Sequence, residues 1–127
     1  MSDTTTEGIR VQVKPEFWPE QSAPEHGRFA FKYTIAISNV GKAAARLRTR
    51  HWLITDAEGH TEEVRGEGVV GKNPDLEPGQ SFEYTSWASI KTPFGSMRGS
   101  YFFERHDGTR FEAKIGEFPL VQPHSLH

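Results

Sequence analysis

A glycine-rich segment carries a spacing that matches a known chemical motif by its letters. The segment reads Gly66-x-Gly68-x-x-Gly71 and is flanked by two cations, Arg65 and Lys72. In dinucleotide-binding folds, glycines at this spacing lie between a strand and a helix whose amino terminus holds a pyrophosphate. The first chemistry to consider is therefore the binding of a phosphate-bearing anion.

The residues that follow these glycines argue against the helical form of the motif. Residues 72–79 contain two prolines and a further glycine, which would break a helix that started there. A second form needs no helix, because consecutive backbone N–H groups in a glycine loop can surround an anion. Two interpretations stay open: a connecting loop or bulged edge strand, or an anion site for pyrophosphate or a nucleotide. The candidate residues of that site are Arg65, Gly66, Gly68, Gly71 and Lys72.

Other polar clusters are explained as well by turns as by chemistry. Asp56, Glu58 and His60 follow a spacing of two and carry ligand types that a divalent metal accepts. The same residues are typical of a hairpin turn, so no dedicated metal residue is predicted. Ser86 and Ser89 have no nucleophile elbow around them. No catalytic residue is predicted, and the chain is predicted not to be an enzyme.

Three arginines alternate along one segment. Arg46, Arg48 and Arg50 are predicted to project to one side of an extended chain, with Lys42 nearby, and such a stripe could meet RNA or an acidic partner. No aromatic platform accompanies them, so a solvated strand edge that discourages aggregation is the preferred interpretation. The net charge of −2, from 15 basic and 17 acidic residues, also lacks the basic excess of a dedicated nucleic-acid binder.

Length and composition predict one domain. The 127 residues fit a single domain over positions 1–127, with flexible tails expected at 1–8 and 122–127. The chain contains no cysteine, which excludes disulfides and thiolate sites. No apolar run approaches the about 20 residues that a membrane helix needs, and the polar first residues do not resemble a secretion signal. We therefore expect a cytoplasmic protein without a membrane partner and without a required cofactor.

Alternation of apolar and polar residues predicts about seven to eight short strands. The clearest is Phe29–Ile37, where large apolar residues share one parity. The segment around Trp52 has conflicting parities, which predicts either a short strand from Arg50 to Thr55 or a bulge that resets the register. Turn signals recur roughly every 8–12 residues, as in an antiparallel β-sandwich of the immunoglobulin or fibronectin type III kind. Trp52 is predicted to be buried and Tyr101 to form a tyrosine corner; a closed barrel is the alternative fold.

Short turn sequences mark how these strands connect. Asp56–Gly59 and His106–Gly108 are typical of tight hairpins. Pro78-Gly79 suits the central positions of a type II turn, because proline presets the first φ and glycine supplies the positive second one. Gly116 indicates a bulge in the last strand. The two hairpin signals predict short connections, whereas the stretch from Glu63 to Ser86 is predicted to contain a long connection that ends in a tight turn.

Three ordered sets of residues resemble the ApaG family over about residues 11–121. They are Arg50-His51-Trp52-x-Ile54-Thr55-Asp56; the run Gly66-x-Gly68-Val69-Val70-Gly71-x-x-Pro74-x-Leu76-x-Pro78-Gly79-x-x-Phe82-x-Tyr84-Thr85-Ser86; and Thr92-Pro93-x-Gly95-x-Met97-x-Gly99-x-Tyr101. The resemblance implies a fibronectin type III-like β-sandwich in a small bacterial cytoplasmic protein. It also implies protein–protein interaction, as suggested for related domains of eukaryotic F-box and polymerase-interacting proteins, and an indirect link to cobalt and magnesium homeostasis. The chain departs from the family at Trp87-Ala88, where a tryptophan could form an exposed contact surface or repack the loop.

The resulting functional prediction is a small non-enzymatic β-sandwich module that mediates protein–protein interaction. The partner is expected to be a protein of unspecified identity, and the chain itself to be a monomer or weak homodimer. Nucleic acid and membranes are not expected as partners. The alternative is a regulatory domain that binds a phosphate-bearing anion at the Gly66–Gly71 loop, with a divalent metal as an optional companion.

Overall fold

The structure is a computed structural model that describes residues 1–123, and most of these residues belong to β-strands. Two short 3-10 turns, Pro19–Gln21 and Pro24–His26, lie between the second and third strands. The strands are β1 (Ser2–Thr6), β2 (Ile9–Phe17), β3 (Phe29–Asn39), β4 (Ala45–Asp56), β5 (Thr61–Glu67), β6 (Asp75–Leu76), β7 (Ser81–Ile90), β8 (Phe94–Arg105) and β9 (Arg110–Val121). Their pairings are antiparallel, which confirms the predicted all-β class.

These strands form two sheets that pack face to face as a sandwich. One sheet has the order β1-β2-β3-β7, and the other has the order β5-β4-β8-β9 with β6 paired to β4. Every second residue of β3 is buried in the core, because the side chains of a strand alternate between its two faces. The strand count exceeds the predicted seven to eight because β1 and the two-residue β6 have no clear sequence signal. Kinship with immunoglobulin or fibronectin type III domains stays a prediction.

An aromatic cluster fills the middle of the sandwich. The ring centroid of Trp52 in β4 is 5.4 Å from that of Tyr33 in β3 and 6.0 Å from that of Phe118 in β9. All three side chains are almost completely buried, and such aromatic pairs add stabilisation beyond the area that they bury. The predicted burial of Trp52 is confirmed, and its cluster joins the two sheets.

A bulge in β4 resolves its conflicting side-chain pattern. The register of β4 against β8 shifts between Leu47 and Thr49, so different parities point into the core before and after the shift. The bulge, one of the two predicted solutions, is confirmed. The predicted stripe of three arginines is wrong: Arg46 and Arg48 lie exposed on the outer surface, whereas Arg50 faces the space between the sheets.

Local turn signals agree with the structure elsewhere. In the predicted type II turn, Gly79 has a φ of +89°. The N–H of Gln80 donates to the carbonyl of Glu77 at 2.9 Å, as such a turn requires. The pairing of β9 with β8 shifts register beside Gly116, which confirms the predicted bulge.

One long side of the sandwich is closed by β1. The flexible tail predicted at 1–8 is wrong for Ser2–Thr6, which pair with β2 and pack against β9. This segment is rich in threonine, a β-branched residue that suits strands. Gly116 permits the close approach, since a Cβ atom there would lie only 2.6 Å from Oγ1 of Thr4.

The opposite long side is open. There β5 is the last strand of one sheet and β7 is the last strand of the other. Within residues 1–123, no strand pairs with the outer edge of either. The two edges therefore face each other across a gap between the sheets.

Two expectations concern the ends of the chain and membranes. Of the tail predicted at 122–127, residues 124–127 lie outside the described residues. No helix in the described part of the chain is long and apolar enough to cross a membrane.

Candidate functional site

A groove of about 450 Å³ opens between β5 and β7. This volume lies in the range of ligand-binding clefts. Both sheets contribute its walls, because inward-facing residues of β4 and β5 stand opposite those of β3 and β7. The polar part of the lining comes from Tyr33, Arg50, Glu62, Tyr84, Ser86 and Ser89.

Arg50 is held in this groove by backbone carbonyls of the glycine-rich segment. Its Nη1 donates to the carbonyl of Glu67 at 3.0 Å and to that of Gly68 at 2.9 Å. The guanidinium lies against Gly66, where a Cβ atom would come within 2.5 Å of Nη2. Glycine at position 66 therefore makes room for the head group of Arg50, and the carbonyls of the segment bind a cation.

The N–H groups of the same segment mostly bond to the backbone. The N–H of Gly68 donates to a carbonyl of β4 at 2.9 Å, and Val69 and Lys72 exchange two hydrogen bonds of 2.8 and 2.9 Å. This pair encloses a turn in which Val70 and Gly71 have φ values of +44° and +77°, the pattern of a type I′ hairpin. These contacts favour a connecting turn. The binding of pyrophosphate or a nucleotide by this segment stays a prediction.

The two cations predicted to flank the anion site lie in different surroundings. Arg65 is on the outer face of β5, where its Nη2 is 3.2 Å from Oε2 of Glu63. The same carboxylate contacts Nε2 of His51 at 2.8 Å, and hydrogen bonds with His51 and Arg65 hold the pKa of Glu63 below its usual value. Lys72 is exposed in the turn. Arg65 thus lies outside the groove, while the neighbouring glycines contact a different arginine.

Three buried tyrosines lie near the charge of Arg50. The hydroxyl groups of Tyr84 and Tyr101 hydrogen-bond to each other, and Tyr33 lines the same groove. Burial raises the pKa of all three hydroxyls, and the positive charge of Arg50 opposes this only in part. The hydroxyls are therefore neutral near pH 7 and able to donate hydrogen bonds. Because Tyr101 bonds to a side chain and not to the backbone, it does not form the predicted tyrosine corner.

Two exposed apolar side chains stand at the rim of the groove, one on β7 and one in the turn that follows β5. Trp87 of β7 is 57% exposed, and Val70 of the glycine-rich turn is 55% exposed. The ring of Trp87 also meets that of Trp18 edge to face, with centroids 6.0 Å apart. Trp87 is thus exposed at the surface and does not repack the interior. The ring of Trp18 packs against one side of it.

The hairpin between β4 and β5 gathers the three residues weighed as metal ligands. One ligand atom each of Asp56, Glu58 and His60 lies within 4.8 Å of the others. The carboxylate of Asp56 accepts hydrogen bonds from the N–H groups of Glu58 at 2.9 Å and His60 at 3.0 Å. Burial raises the pKa of Asp56, but these bonds and the His60 ring outweigh it, so the net shift is downward. Hairpin geometry therefore accounts for how these three residues come together.

The sequence patterns miss the position of Arg50. They assign it to an exposed stripe, although it shares the parity of Trp52 and Ile54, which are buried. An arginine on a core-facing parity needs partners for its charge, so this parity was the available signal. Tyr33 and Tyr84 are expected from the sequence only as strand residues, because alternation does not reveal that both line the groove or that the hydroxyl of Tyr84 meets that of Tyr101.

Comparisons with known sequences agree with this architecture. Residues 19–105 match the family model described as the ApaG domain. A protein named ApaG from Ralstonia nicotianae is 57% identical over 119 residues, covering 94% of this chain and 96% of that protein. A protein of the same name from Dechloromonas aromatica is 54% identical over 127 residues and is covered in full, as is this chain.

Solved structures resemble the fold as well. The crystal structure of an ApaA protein from Bordetella pertussis has a TM-score of 0.89 at 46% identity, covering 92% of this chain and 95% of that chain. The C-terminal domain of wzt has a TM-score of 0.55 at 10% identity, covering 98% of this chain and 79% of that chain. The second likeness concerns the fold alone.

Proposed function

The chain belongs to the ApaG family, and we propose that it is a non-enzymatic module that binds a protein partner at the free edge of β7. The partner contributes a segment in extended conformation, which pairs with β7 and places alternate side chains in the groove. The observation that carries this proposal is that β7 is a long, regular edge strand that contains no lysine, arginine or proline.

The composition of β7 lacks most of the features that usually protect a sheet edge, since Glu83 is its single charged residue. Its ten residues contain no lysine, arginine or proline, and its pairing with β3 runs without a register shift. Soluble proteins commonly place such residues or bulges on edge strands, because an open edge pairs with other chains. The facing edge, β5, carries three glutamates and an arginine in seven residues. The contrast favours β7 as the strand that receives a partner.

The hydrogen-bond pattern identifies which backbone groups of β7 point outward. The N–H of Asn39 donates to the carbonyl of Gln80 at 2.9 Å, and in an antiparallel pair the hydrogen-bonded positions recur at every second residue. Even-numbered residues of β7 therefore bond to β3, and odd-numbered residues direct their N–H and C=O groups to the edge. Those residues are Ser81, Glu83, Thr85, Trp87 and Ser89. They can pair with an added strand, as in other cases of β-strand addition.

The side chains beside this edge suit a partner segment with apolar residues. A strand next to β7 alternates its side chains between the outer face near Trp87 and the groove near Tyr84. Exposed aromatic residues next to a pocket are frequent energetic centres of interfaces. Across the groove, Val70 adopts a positive φ, which is strained for a β-branched residue. The turn thus presents an apolar side chain at the rim despite the backbone cost.

Peptides selected from a displayed random library, followed by amide hydrogen exchange, test this proposal. Bound peptides are expected to slow exchange at Glu83, Thr85 and Trp87 and to leave the edge of β5 unchanged. Thr85→Pro removes an outward N–H group from the edge and is expected to weaken peptide binding about tenfold or more. Trp87→Ala removes the exposed anchor and is expected to weaken binding by about tenfold.

Phe94→Ala is the matched control for Trp87→Ala. Phe94 is an aromatic residue with a similar exposure of 56%, but it is not part of the groove lining. Its removal is expected to leave peptide affinity unchanged. Peptides that protect no amide of β7, or wild-type affinity in both Thr85→Pro and Trp87→Ala, would contradict the proposal. Pairing of β7 only with β7 of a second copy would replace it with homodimerisation.

The alternative function stays a prediction with its own measurement. Pyrophosphate or a nucleotide, titrated with and without magnesium or cobalt, is expected to shift the amide resonances of Val70 and Gly71 if the glycine turn binds it. Unchanged resonances at millimolar ligand would remove this alternative. The cytoplasmic location, the monomeric or weakly dimeric state and the indirect link to cobalt and magnesium homeostasis also remain predictions.

A further inference from the structure

We infer that the groove recognises a carboxylate of the partner segment through Arg50. The inference rests on the proposed strand addition at β7 and specifies the chemistry of the bound segment. The carboxylate comes from an aspartate or glutamate side chain of that segment or from its carboxy terminus.

The environment of Arg50 differs from that of the arginines near it. Arg46, Arg48 and Arg65 lie on outer surfaces and approach carboxylates at 3.2, 3.7 and 3.2 Å. Arg50 is half-buried, and both of its hydrogen bonds within residues 1–123 run from Nη1 to neutral carbonyls. In that part of the chain it forms no ion pair. A half-buried cation without an anionic partner is unfavourable, and a bound carboxylate would supply one through short, charge-assisted hydrogen bonds.

Neutral hydroxyl groups line the wall of the groove opposite the guanidinium. Tyr33, Tyr84 and Ser86 share the groove with Arg50. A neutral hydroxyl can donate a hydrogen bond to an anion without adding a competing negative charge. The combination of one forked cation with hydroxyl donors suits a small planar anion such as a carboxylate.

The strand register places Arg50 at the level of the middle of β7. Arg50 lies opposite Tyr101 in the pairing of β4 with β8, and the hydroxyl of Tyr101 contacts that of Tyr84 in β7. The neighbours of Tyr84 in β7 direct their backbone groups to the free edge. A strand that pairs there lies about 4.8 Å from β7. One of its inward side chains therefore enters the groove beside Arg50.

Glu62 provides the opposite charge farther along the groove. It lines the same cavity, and it is four residues from Gly66 on β5, which corresponds to roughly 13 Å at the rise of a strand. Gly66 is the residue against which the guanidinium rests. Because Glu62 is a groove residue of opposite sign, its neutralisation is expected to change carboxylate affinity in the direction opposite to that of a change at Arg50.

Nuclear magnetic resonance of the wild-type protein with isotope-labelled arginine side chains tests the inference. N-acetyl-phenylalanine offers a terminal carboxylate, and N-acetyl-glutamic acid amide offers a side-chain carboxylate. Their neutral counterparts are N-acetyl-phenylalanine amide and N-acetyl-glutamine amide. At millimolar concentration, at least one acid is expected to shift the Nε–H resonance of Arg50 and the amides of Tyr84 and Ser86, while the neutral compounds do not. The acid with the larger shifts identifies the source of the carboxylate.

Two variants sharpen the same measurement. Arg50→Lys keeps the charge but loses the planar fork, and it is expected to weaken carboxylate binding about tenfold. Glu62→Gln removes a negative charge from the groove and is expected to tighten carboxylate binding up to about threefold. Equal shifts from an acid and its neutral counterpart, no shift from either acid, or wild-type affinity in Arg50→Lys would overturn the inference. If Arg50→Lys disturbs the turn, the comparison of acids with neutral compounds on the wild-type protein still decides whether the groove recognises a carboxylate.

The two proposals fail in distinguishable ways. If library peptides slow exchange along β7 but the acids leave Arg50 unchanged, strand addition stands and carboxylate recognition is wrong. If the acids bind at Arg50 but no peptide protects β7, strand addition is wrong and the carboxylate site stands for small ligands alone.

Discussion

The two long sides of the sandwich are built from similar strands but end differently. On the closed side, β1 packs against β9, and the N–H of Lys114 donates to Oγ1 of Thr6 at 3.2 Å. On the open side, β5 and β7 leave a groove that contains Arg50. Each side uses a glycine to admit a neighbour: Gly116 admits β1, and Gly66 admits the guanidinium. These two glycines serve close approach, so glycine spacing alone does not identify a ligand site.

The sides also differ in how their sheet edges are protected. On the closed side, the polar strand β1 packs against β9. On the open side, β5 carries charged side chains. Only β7 among these edges is regular, long and without cationic or proline protection. Such an edge carries a risk of aggregation, and it is the feature of the open side on which the proposed strand addition depends.

The largest expected effect tests the turn that supports the open side. Gly68 has a φ of +63°, and a Cβ atom there would lie 2.3 Å from the carbonyl oxygen of Lys72. Gly68→Ala is therefore expected to lower the free energy of unfolding by roughly 2–4 kcal/mol, measured in urea. Gly66→Ala is the matched control, because its Cβ displaces only the flexible head group of Arg50, and a loss below about 1 kcal/mol is expected. Equal losses would show that the turn is not a rigid support.

The next effect opens the closed side. A Cβ atom on Gly116 would lie 2.6 Å from Oγ1 of Thr4 and 3.3 Å from Cβ of Ser2. Gly116→Val is expected to destabilise the protein by about 1–2 kcal/mol through overpacking. Amide exchange in β1 should become faster, while exchange in β7 stays unchanged. Gly116→Ala should do less, because Thr4 can rotate away. Unchanged exchange in β1 would mean that other contacts close this side.

Most of the sandwich can be predicted because local patterns decide it. The alternation in β3 depends on side chains within one strand. The type II turn at Pro78-Gly79 depends on two residues, and the bulge in β4 follows from a conflict of parities within about ten positions. Each pattern acts through backbone geometry that needs no distant partner. The predicted class and the burial of Trp52 therefore agree with the structure.

The missed features depend on residues that are distant in sequence. Ser2–Thr6 contain no large apolar residue, and they form a strand because β2 and β9 offer a surface to pair with and pack against. At the candidate site, Gly66 and Gly68 both contact Arg50. Gly66 leaves space for the guanidinium, and the carbonyl of Gly68 accepts a hydrogen bond from it. The spacing of glycines in a sequence does not specify whether the N–H or the C=O of a peptide group points into the site. It also cannot show that the arginine comes from a strand 18 residues earlier.

A smaller effect tests the rim of the open side. Val70 has a φ of +44°, and asparagine tolerates this conformation better than valine. Val70→Asn is expected to raise the free energy of unfolding by about 0.5–1 kcal/mol and to weaken library-peptide binding about threefold. Val40→Asn is the control, because Val40 is also exposed, at 58%, but has an ordinary backbone. A destabilised Val70→Asn would show that the turn gains more from the valine side chain than it loses in strain.

The smallest effect concerns the ion pair that holds the closed side. Arg10 donates from Nε to Oδ1 of Asp3 at 3.0 Å and from Nη2 to Oδ2 at 2.6 Å, joining β1 to β2. These hydrogen bonds lower the pKa of Asp3 from its usual value of 3.8. A carboxyl whose pKa is lower in the folded state adds stability above its unfolded pKa, and this gain disappears as the pH falls through the folded pKa.

Acidification below pH 3.8 is therefore expected to loosen β1 before β7. Amide exchange, corrected for its intrinsic pH dependence, should become faster in Ser2–Thr6 and change less in β7. The effect is small because both partners are exposed to solvent. Asp3→Asn should remove the difference, since the amide cannot titrate. If Asp3→Asn keeps the acid response of β1, the ion pair is not what holds the strand. The closed side would then depend on the packing of β1 against β9 alone, and Gly116→Val would be the stronger test of it.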